Sequence, residues 1–152
     1  MSENQVEIRE VSIECKDAKV LIQELNQCLK QITGNDGSSH FQKQDVAGER
    51  GSFFIAYKEK EPYGCGAIRE ISKECAEIKR VYARKNSVGI GSKIVHALEE
   101  KAKDFGYHTI LLETRVENIR AVRFYEGLGY EHCENYGVYQ GAIGASCFKK
   151  EL

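Results

Sequence analysis

The chain lacks any apolar stretch long enough to span a bilayer, and its opening residues, Met-Ser-Glu-Asn-Gln-Val-Glu, lack both the basic and the apolar segment of a secretion signal. We therefore expect a cytoplasmic protein that does not enter a membrane. It also lacks an excess of charge of one sign, because 22 basic residues balance 23 acidic ones and the net charge is -1. Such a balance gives no general electrostatic attraction to nucleic acid.

Closely spaced metal ligands are missing as well. None of the six cysteines forms a Cys-x-x-Cys pair, whereas a zinc site or a redox pair needs such spacing. His96 with Glu99 and Glu100 would supply ligands on one helix without a third nearby, which is more typical of a solvated helix face. We expect no metal, and most of the cysteines to be small buried apolar residues.

The length of 152 residues, with 41% hydrophobic and 30% charged residues, is typical of a globular chain. A chain of this size buries roughly two thirds of the surface that it exposes when unfolded, so it needs neither metal nor disulfide to fold. No internal repeat and no linker divides the sequence. We expect one domain over residues 1–152.

Apolar periodicity predicts a mixed α/β fold in the order β-α-β-β-β-α-β-α-β-β, with antiparallel hairpins early and crossovers late. Strands are predicted at 6–14, 52–57, 64–70, 75–83, 109–114, about 130–136 and 146–152. Helices are predicted between Asp17 and Gly34, from 89 to 105 and from 118 to 128. The polar segment 34–51 is predicted to be a loop over the substrate, with a short helix around 42–47.

The segment Ser87–Gly91 (Ser-Val-Gly-Ile-Gly) lies between a predicted strand and a predicted helix. This arrangement favours an anion site, because the free N–H groups and the dipole of a helix N-terminus attract negative charge. The letters match neither the dinucleotide motif nor the nucleoside-triphosphate motif. Two explanations remain: a pyrophosphate on another carrier, or a tight loop with a close helix crossing.

Three separated blocks agree in order and spacing with one known pattern. They are Glu77-Ile-Lys-Arg-Val-Tyr82, Gly89-Ile-Gly-Ser92 with Leu98-Glu99, and Asn118 with Ala121 and Phe124-Tyr-Glu-Gly-Leu-Gly-Tyr130. With them the chain resembles the GNAT family of acetyl-CoA-dependent N-acetyltransferases, clearly over residues 50–152 and by pattern before that. Gly64–Arg69 and Ser146–Leu152 further resemble a bacterial subgroup of undefined substrate. The resemblance implies a mixed, mainly antiparallel sheet of six to seven strands flanked by about four helices.

The same resemblance implies the reaction and the coenzyme site. An acetyl group would pass from acetyl-CoA to a primary amine of a small molecule or peptide, by direct attack in a ternary complex. Asn118 would serve as helix cap and coenzyme contact. The backbone of one strand would contact the pantetheine arm, namely Val81, Tyr82 and Ala83. The loop would hold the pyrophosphate through Ser87, Val88, Gly89, Ile90, Gly91 and Ser92.

One departure from the family pattern concerns the loop before the helix. The family usually has Arg or Gln three residues before the first glycine, where this chain has Asn86, and the loop is also shorter than usual. Arg84 or Lys85 would replace the missing cation. We expect weakened but retained coenzyme binding. The alternative function is a coenzyme-A-binding regulatory or interaction module with little or no turnover.

Two residues are implied in the chemistry. Glu77 lies in an Ala-Glu-Ile context similar to that of the histone-acetylating branch of the family, where a glutamate acts as base; its alternative is a pair with Lys79 or Arg80. Tyr125 is implied as the general acid for the leaving thiolate, whereas spacing alone favours a core tyrosine. Exposed end strands leave room for a homodimer.

Acceptor contacts are expected from three segments, namely 34–51, Glu70–Glu74 and Gly137–Ala145. The first of these contains Asp36, Asp45 and Glu49, which would favour a cationic amine.

Overall fold

A computed structural model describes residues 5–38, 41, 44–85 and 88–152. The strands are β1 (Val6–Glu10), β2 (Ser52–Lys58), β3 (Glu61–Ser72), β4 (Cys75–Ala83), β5 (Thr109–Arg115), β6 (Glu131–Cys133) and β7 (Ala145–Glu151). The helices are α1 (Lys16–Thr33), α2 (Gln44–Ala47), α3 (Ile90–Asp104) and α4 (Ile119–Gly127).

All seven strands form one sheet in the order β1-β2-β3-β4-β5-β7-β6. Neighbouring strands run antiparallel except β4 and β5, which are parallel. The predicted fold class, a mixed and mainly antiparallel sheet, is confirmed. The helix boundaries also agree with the sequence, since Gly34 ends α1 in the left-handed conformation and Asn118 caps α4.

Three predicted strand boundaries are wrong. The first strand ends at Glu10 rather than residue 14, because Ser12 accepts hydrogen bonds from the N–H groups of Glu14 and Cys15 and turns the chain into α1. The third strand begins at Glu61 rather than residue 64 and includes Pro62, because a two-residue turn with positive φ at Glu59 and Lys60 closes the β2–β3 hairpin. The sixth strand is confined to Glu131–Cys133.

The two faces of the sheet are covered by different helices, because side chains alternate along each strand. Ile55 on β2 and Ala67 on β3 pack with Leu21 of α1. Ala56 and Ile68, their neighbours in sequence, point to the opposite face and join the larger core that α3 covers. The apolar stripe of α3 is buried, with Ile90, Ile94, Leu98 and Ala102 all facing this core.

The helix α3 crosses β3 at very close range. A Cβ atom at Gly66 would lie 2.7 Å from Ile94 Cγ2 and 3.0 Å from Leu98 Cδ1, and one at Gly64 would lie 2.6 Å from the Tyr82 carbonyl oxygen. The glycines of β3 therefore set the distance between the helix and the sheet. That distance in turn fixes where the N-terminus of α3 meets the end of β4.

Replacing Gly66 by alanine is expected to lower the free energy of unfolding by about 1–3 kcal/mol, because the added methyl group overpacks the contact with Ile94. Urea unfolding measures this loss. Gly127→Ala is the matched control, since a Cβ atom there meets nothing within 4 Å and the residue lies in α4. It should leave stability unchanged or raise it slightly, because alanine favours helix. Equal losses in both variants would contradict the explanation.

Candidate active site

The strands β4 and β5 separate soon after they meet. Their parallel pairing covers three residue pairs, from Cys75↔Thr109 to Glu77↔Leu111. Beyond this point a cleft of about 330 Å³ opens between the strands. Described residues of α1, the following loop, β4, β5, α4 and the segment before β7 line it. They include Leu25, Leu29, Gly37, Lys79, Arg80, Val81, Glu113, Arg115, Asn118, Tyr125 and Tyr139.

A bulge in β4 begins at Arg80, whose φ of 59° is unusual for a residue with a side chain. The register with β3 shifts there, because Lys79 pairs with Ala67 whereas Tyr82 pairs with Cys65. After the bulge, β4 is still paired with β3. The other edge of β4 faces the cleft, since in the described chain its pairing with β5 has ended. This edge suits an added extended chain.

The side chain of Arg80 ties the loop after α1 to the bulge. It is 9% exposed, one nitrogen donates to Asn26 Oδ1, and Nη2 donates to the Asp36 carbonyl oxygen at 3.0 Å. The Phe41 ring lies 5.4 Å from the guanidinium carbon. Burial lowers the pKa of Arg80. One end of the cleft is therefore closed by a loop that this single guanidinium group holds.

The predicted pyrophosphate loop is described only in part, since Asn86 and Ser87 lie outside the described residues. Gly89 is the N-cap residue of α3 and has a φ of 79°. Because no side chain accepts a hydrogen bond at this cap, the N–H groups of the first turn of the helix are left available. The Ser92 hydroxyl donates to the Gly89 carbonyl oxygen at 3.1 Å. Val88 is 97% exposed beside them.

The second glycine of this loop has a packing role. A Cβ atom at Gly91 would lie 3.2 Å from Phe124 Cζ, so the glycine allows α3 to pack against α4. Both glycines therefore fit a tight loop with a close helix crossing, since Gly89 supplies the left-handed turn before the helix and Gly91 supplies the close helix contact. The pyrophosphate site stays a prediction.

Arg84, one of the two cations suggested for the pyrophosphate, is bound to α1 instead. Its Nε and Nη2 atoms donate to the Glu24 carboxylate at 2.9 Å and 2.7 Å, and Nη1 donates to the Pro62 carbonyl oxygen at 2.9 Å. The Tyr82 hydroxyl also donates to Glu24 at 3.0 Å. Arg84 holds the pKa of Glu24 below its usual value. Lys85, the other suggested cation, is exposed.

Glu77 is almost fully buried, with 1% exposure, and both of its carboxylate oxygens accept hydrogen bonds. Arg69 Nε donates to Oε1 at 2.7 Å and the Tyr136 hydroxyl donates to Oε2 at 2.5 Å. Burial and this carboxylate raise the pKa of Tyr136. Glu77 thus forms an ion pair with Arg69 on β3, a partner that was not predicted from the sequence. Whether Glu77 acts as a base stays a prediction.

A second carboxyl group, Glu113, lies in the cleft on β5. It is partly exposed, and burial raises its pKa. Across the cleft, Lys79 Nζ donates to the Tyr139 hydroxyl at 2.9 Å, and burial lowers the pKa of this lysine. No role was predicted for Glu113 from the sequence. The available signal was a lone carboxylate that directly follows the apolar run Ile110–Leu112 in a strand, because such a group is costly to desolvate.

Tyr125 lies on the side of α4 that lines the cleft and is 8% exposed. Its ring packs edge-on against Phe124 at 4.9 Å and Tyr130 at 5.7 Å between centroids. The Tyr130 hydroxyl donates to Glu99 at 2.8 Å, and Lys150 Nζ donates to the same carboxylate at 3.1 Å. Burial raises the pKa of Tyr125. Within the described residues, its hydroxyl forms no hydrogen bond.

Asn118 both caps α4 and lines the cleft. Its Oδ1 accepts a hydrogen bond from the Ala121 N–H at 3.3 Å. In the parts of the chain that the structure describes, no group of three or more His, Cys, Asp or Glu side chains is placed to hold a metal ion. None of the described helices combines the length and apolar character needed to cross a membrane.

The comparisons with known proteins agree with this geometry. A family model described as "Acetyltransferase (GNAT) family" matches residues 19–130. The uncharacterized N-acetyltransferase YsnE of Bacillus subtilis (strain 168) is 29% identical over 100 residues, 63% of this chain and 66% of that protein. The IAA acetyltransferase of Azospirillum brasilense is 27% identical over 128 residues, 82% of this chain and 84% of that protein.

Two solved structures are similar over almost the whole chain. A proposed acyl-CoA N-acyltransferase from Klebsiella pneumoniae has a TM-score of 0.82 at 25% identity, covering 98% of this chain and 99% of that one. The PaiA N-acetyltransferase of Thermoplasma acidophilum, solved in complex with coenzyme A, has a TM-score of 0.74 at 19% identity, covering 97% and 99%. At 19% identity, the similarity to the PaiA protein shows that the two chains share a fold.

Replacing Arg80 by methionine keeps the apolar stem and removes the guanidinium group that holds the loop. The amide hydrogens of Gly37 and Ser38 are then expected to exchange with solvent roughly tenfold faster, because charged hydrogen bonds to Asn26 and the Asp36 carbonyl are lost. Hydrogen exchange followed by NMR measures the change. Arg9→Met, which removes an exposed ion pair with Glu7, is the control and should have no effect there. Unchanged exchange in both variants would show that the loop is held by other contacts.

Proposed function

The chain belongs to the GNAT acetyltransferase family, and from that premise we propose that it transfers an acetyl group from acetyl-CoA to a primary amine of a small molecule or peptide, with both substrates bound together. One observation carries the proposal. The cleft between β4 and β5 brings together an open strand edge, Tyr125 and Asn118. A gap in a sheet leaves backbone N–H and C=O groups without strand partners, and such groups are available to a ligand.

The residues present fit coenzyme A. The open edge of Val81–Ala83 offers backbone groups to an extended amide-containing arm. The first turn of α3, Ile90–Ser92 after Val88 and Gly89, has no acidic side chain and no side-chain cap, so it favours the pyrophosphate. Asn118 lies on the same cleft. The coenzyme A bound to the PaiA protein, which shares this fold, supports the same choice.

Acetyl-CoA supplies the activated thioester. Tyr125 would donate its proton to the departing sulfur. Burial raises the pKa of the phenol, and a thiolate buried beside it has a raised pKa as well, which narrows the gap between the two groups and allows the transfer. The rings of Phe124 and Tyr130 fix its orientation. The Glu99 carboxylate on α3 accepts a hydrogen bond from the Tyr130 hydroxyl. Through the Tyr130 ring it therefore helps to position Tyr125.

The acceptor amine must lose a proton before it attacks. At pH 7 only about a thousandth of an alkyl amine is neutral, which is a penalty of about 4 kcal/mol. Glu77 is the base that the family resemblance implies, and its carboxylate lies on the β4 strand that borders the cleft. The loop that Arg80 holds would border the acceptor, with Leu25 and Leu29 of α1 as its apolar wall.

The direct test measures free thiol released from acetyl-CoA in the presence of polyamines, aminoglycosides, amino acids and peptides. Wild-type protein is expected to release thiol with at least one class of amine. Tyr125→Phe should lower kcat roughly 10²-fold on that amine, because the acid is gone, while leaving the Kd of coenzyme A unchanged. Tyr63→Phe serves as control, since Tyr63 lies on β3 away from the residues that line the cleft. Full turnover by Tyr125→Phe would exclude its role, and tight coenzyme binding without turnover on any amine would favour the binding-module alternative.

Replacing Lys85 by glutamine is expected to weaken coenzyme A binding several-fold and to reduce the salt dependence of binding. Arg84 is already bound to Glu24, so Lys85 is the cation that would attract the pyrophosphate. Isothermal titration at two salt concentrations measures both quantities. Lys103→Gln, at the opposite end of α3, is the matched control and should bind like wild type. If Lys85→Gln binds like the control, the pyrophosphate is held by backbone N–H groups without this cation.

A further inference from the structure

We infer that Glu113, rather than Glu77, takes the proton from the acceptor amine, an inference that rests on the function proposed above. Both carboxylates lie on strands that border the cleft, on the face of the sheet opposite to α3. They differ in what surrounds them. Glu113 lines the cleft together with Tyr125, whereas Glu77 is not among the described residues that line it.

The carboxylate of Glu77 is already fully engaged. Arg69 and Tyr136 each donate to one of its oxygens, and the residue is 1% exposed. To accept a proton from an amine, this carboxylate would have to release one of its two donors. Its position instead explains how Arg69 and Tyr136 are held in place.

The surroundings of the Glu113 carboxylate differ from those of Glu77, since within the described residues it forms no hydrogen bond and no ion pair. Burial raises the pKa of Glu113, which brings the group closer to the pH at which a general base works best. Partial exposure gives the proton a path to solvent.

Charged and titratable groups from four elements surround Glu113. Arg115 and Lys79 lower its pKa, and Glu77 raises it. Tyr139, in the turn before β7, and Cys147, directly opposite on β7, also face it. The two cations favour the ionised form that a base must have, and burial makes that form more basic than the carboxylate of a solvated surface glutamate.

Glu113 and Tyr125 together account for every proton that moves in the reaction. The ammonium group of the acceptor gives one proton to the Glu113 carboxylate, which passes it to solvent. The neutral nitrogen forms the C–N bond to the acetyl carbon as the C–S bond breaks, and the sulfur takes the proton of the Tyr125 hydroxyl. The nitrogen releases its second proton, which restores the Tyr125 hydroxyl. The products are the N-acetylated amine, coenzyme A with a free thiol, and one proton in solution.

Kinetics across pH separates the two carboxylates. Glu113→Gln is expected to lower kcat roughly 10²-fold at pH 7 with the KM for acetyl-CoA unchanged, and the deficit should shrink as the pH approaches the pKa of the amine. Glu77→Gln should show no such recovery at high pH. Glu131→Gln, an exposed glutamate on β6, is the control and should match wild type. Wild-type kcat in Glu113→Gln, or recovery at high pH in Glu77→Gln alone, would overturn the inference.

A second measurement does not depend on turnover. The Glu113 side-chain carboxyl carbon, assigned through its backbone in uniformly labelled wild-type protein, is titrated by NMR without any substrate. Its midpoint is expected above the ordinary glutamate value of about 4.3, and a midpoint at or below that value would overturn the inference. If wild-type protein releases no thiol with any amine, the proposed function fails, and this titration still decides whether Glu113 is poised as a base.

Discussion

The early separation of β4 from β5 is the constraint on which the site depends. Parallel pairing ends at Glu77 and Leu111, and the bulge at Arg80 then moves the rest of β4 away from its neighbour. A sheet with a gap loses hydrogen bonds and exposes polar backbone, so it is stable only where other contacts hold the strands apart. Here β3, packed closely on α3 through Gly66, supports β4 on its remaining side.

Around this gap, buried and partly buried charged groups hold segments in place. Arg80 ties the loop after α1, Glu24 ties Arg84, and Glu99 ties Tyr130 and so orients Tyr125. Each of these groups is satisfied by partners from another element. Glu113 is different, because burial raises its pKa and no described residue hydrogen bonds to it. A carboxyl group in that state is the kind that enzymes use to move protons.

The sequence predicted the helices within one or two residues and the order of helices and strands along the chain, because apolar periodicity and caps such as Gly34 are local signals. It placed Tyr125 and Asn118 through the family resemblance, and both line the cleft. It did not find Arg69, Tyr136 or the anchoring role of Arg80, since these contacts join segments far apart in the chain. It also treated Arg84 as available, although only the fold reveals its pairing with Glu24.

In the complex that we propose, coenzyme A lies along the open edge of β4 with its pyrophosphate at the N-terminus of α3. Amide hydrogen exchange, measured by NMR with and without coenzyme A, tests this placement. We predict slower exchange at Val81 and Ala83 and in the first turn of α3, because these N–H groups gain partners on binding. Coenzyme binding that leaves all of these amides unchanged and protects residues elsewhere would contradict the placement.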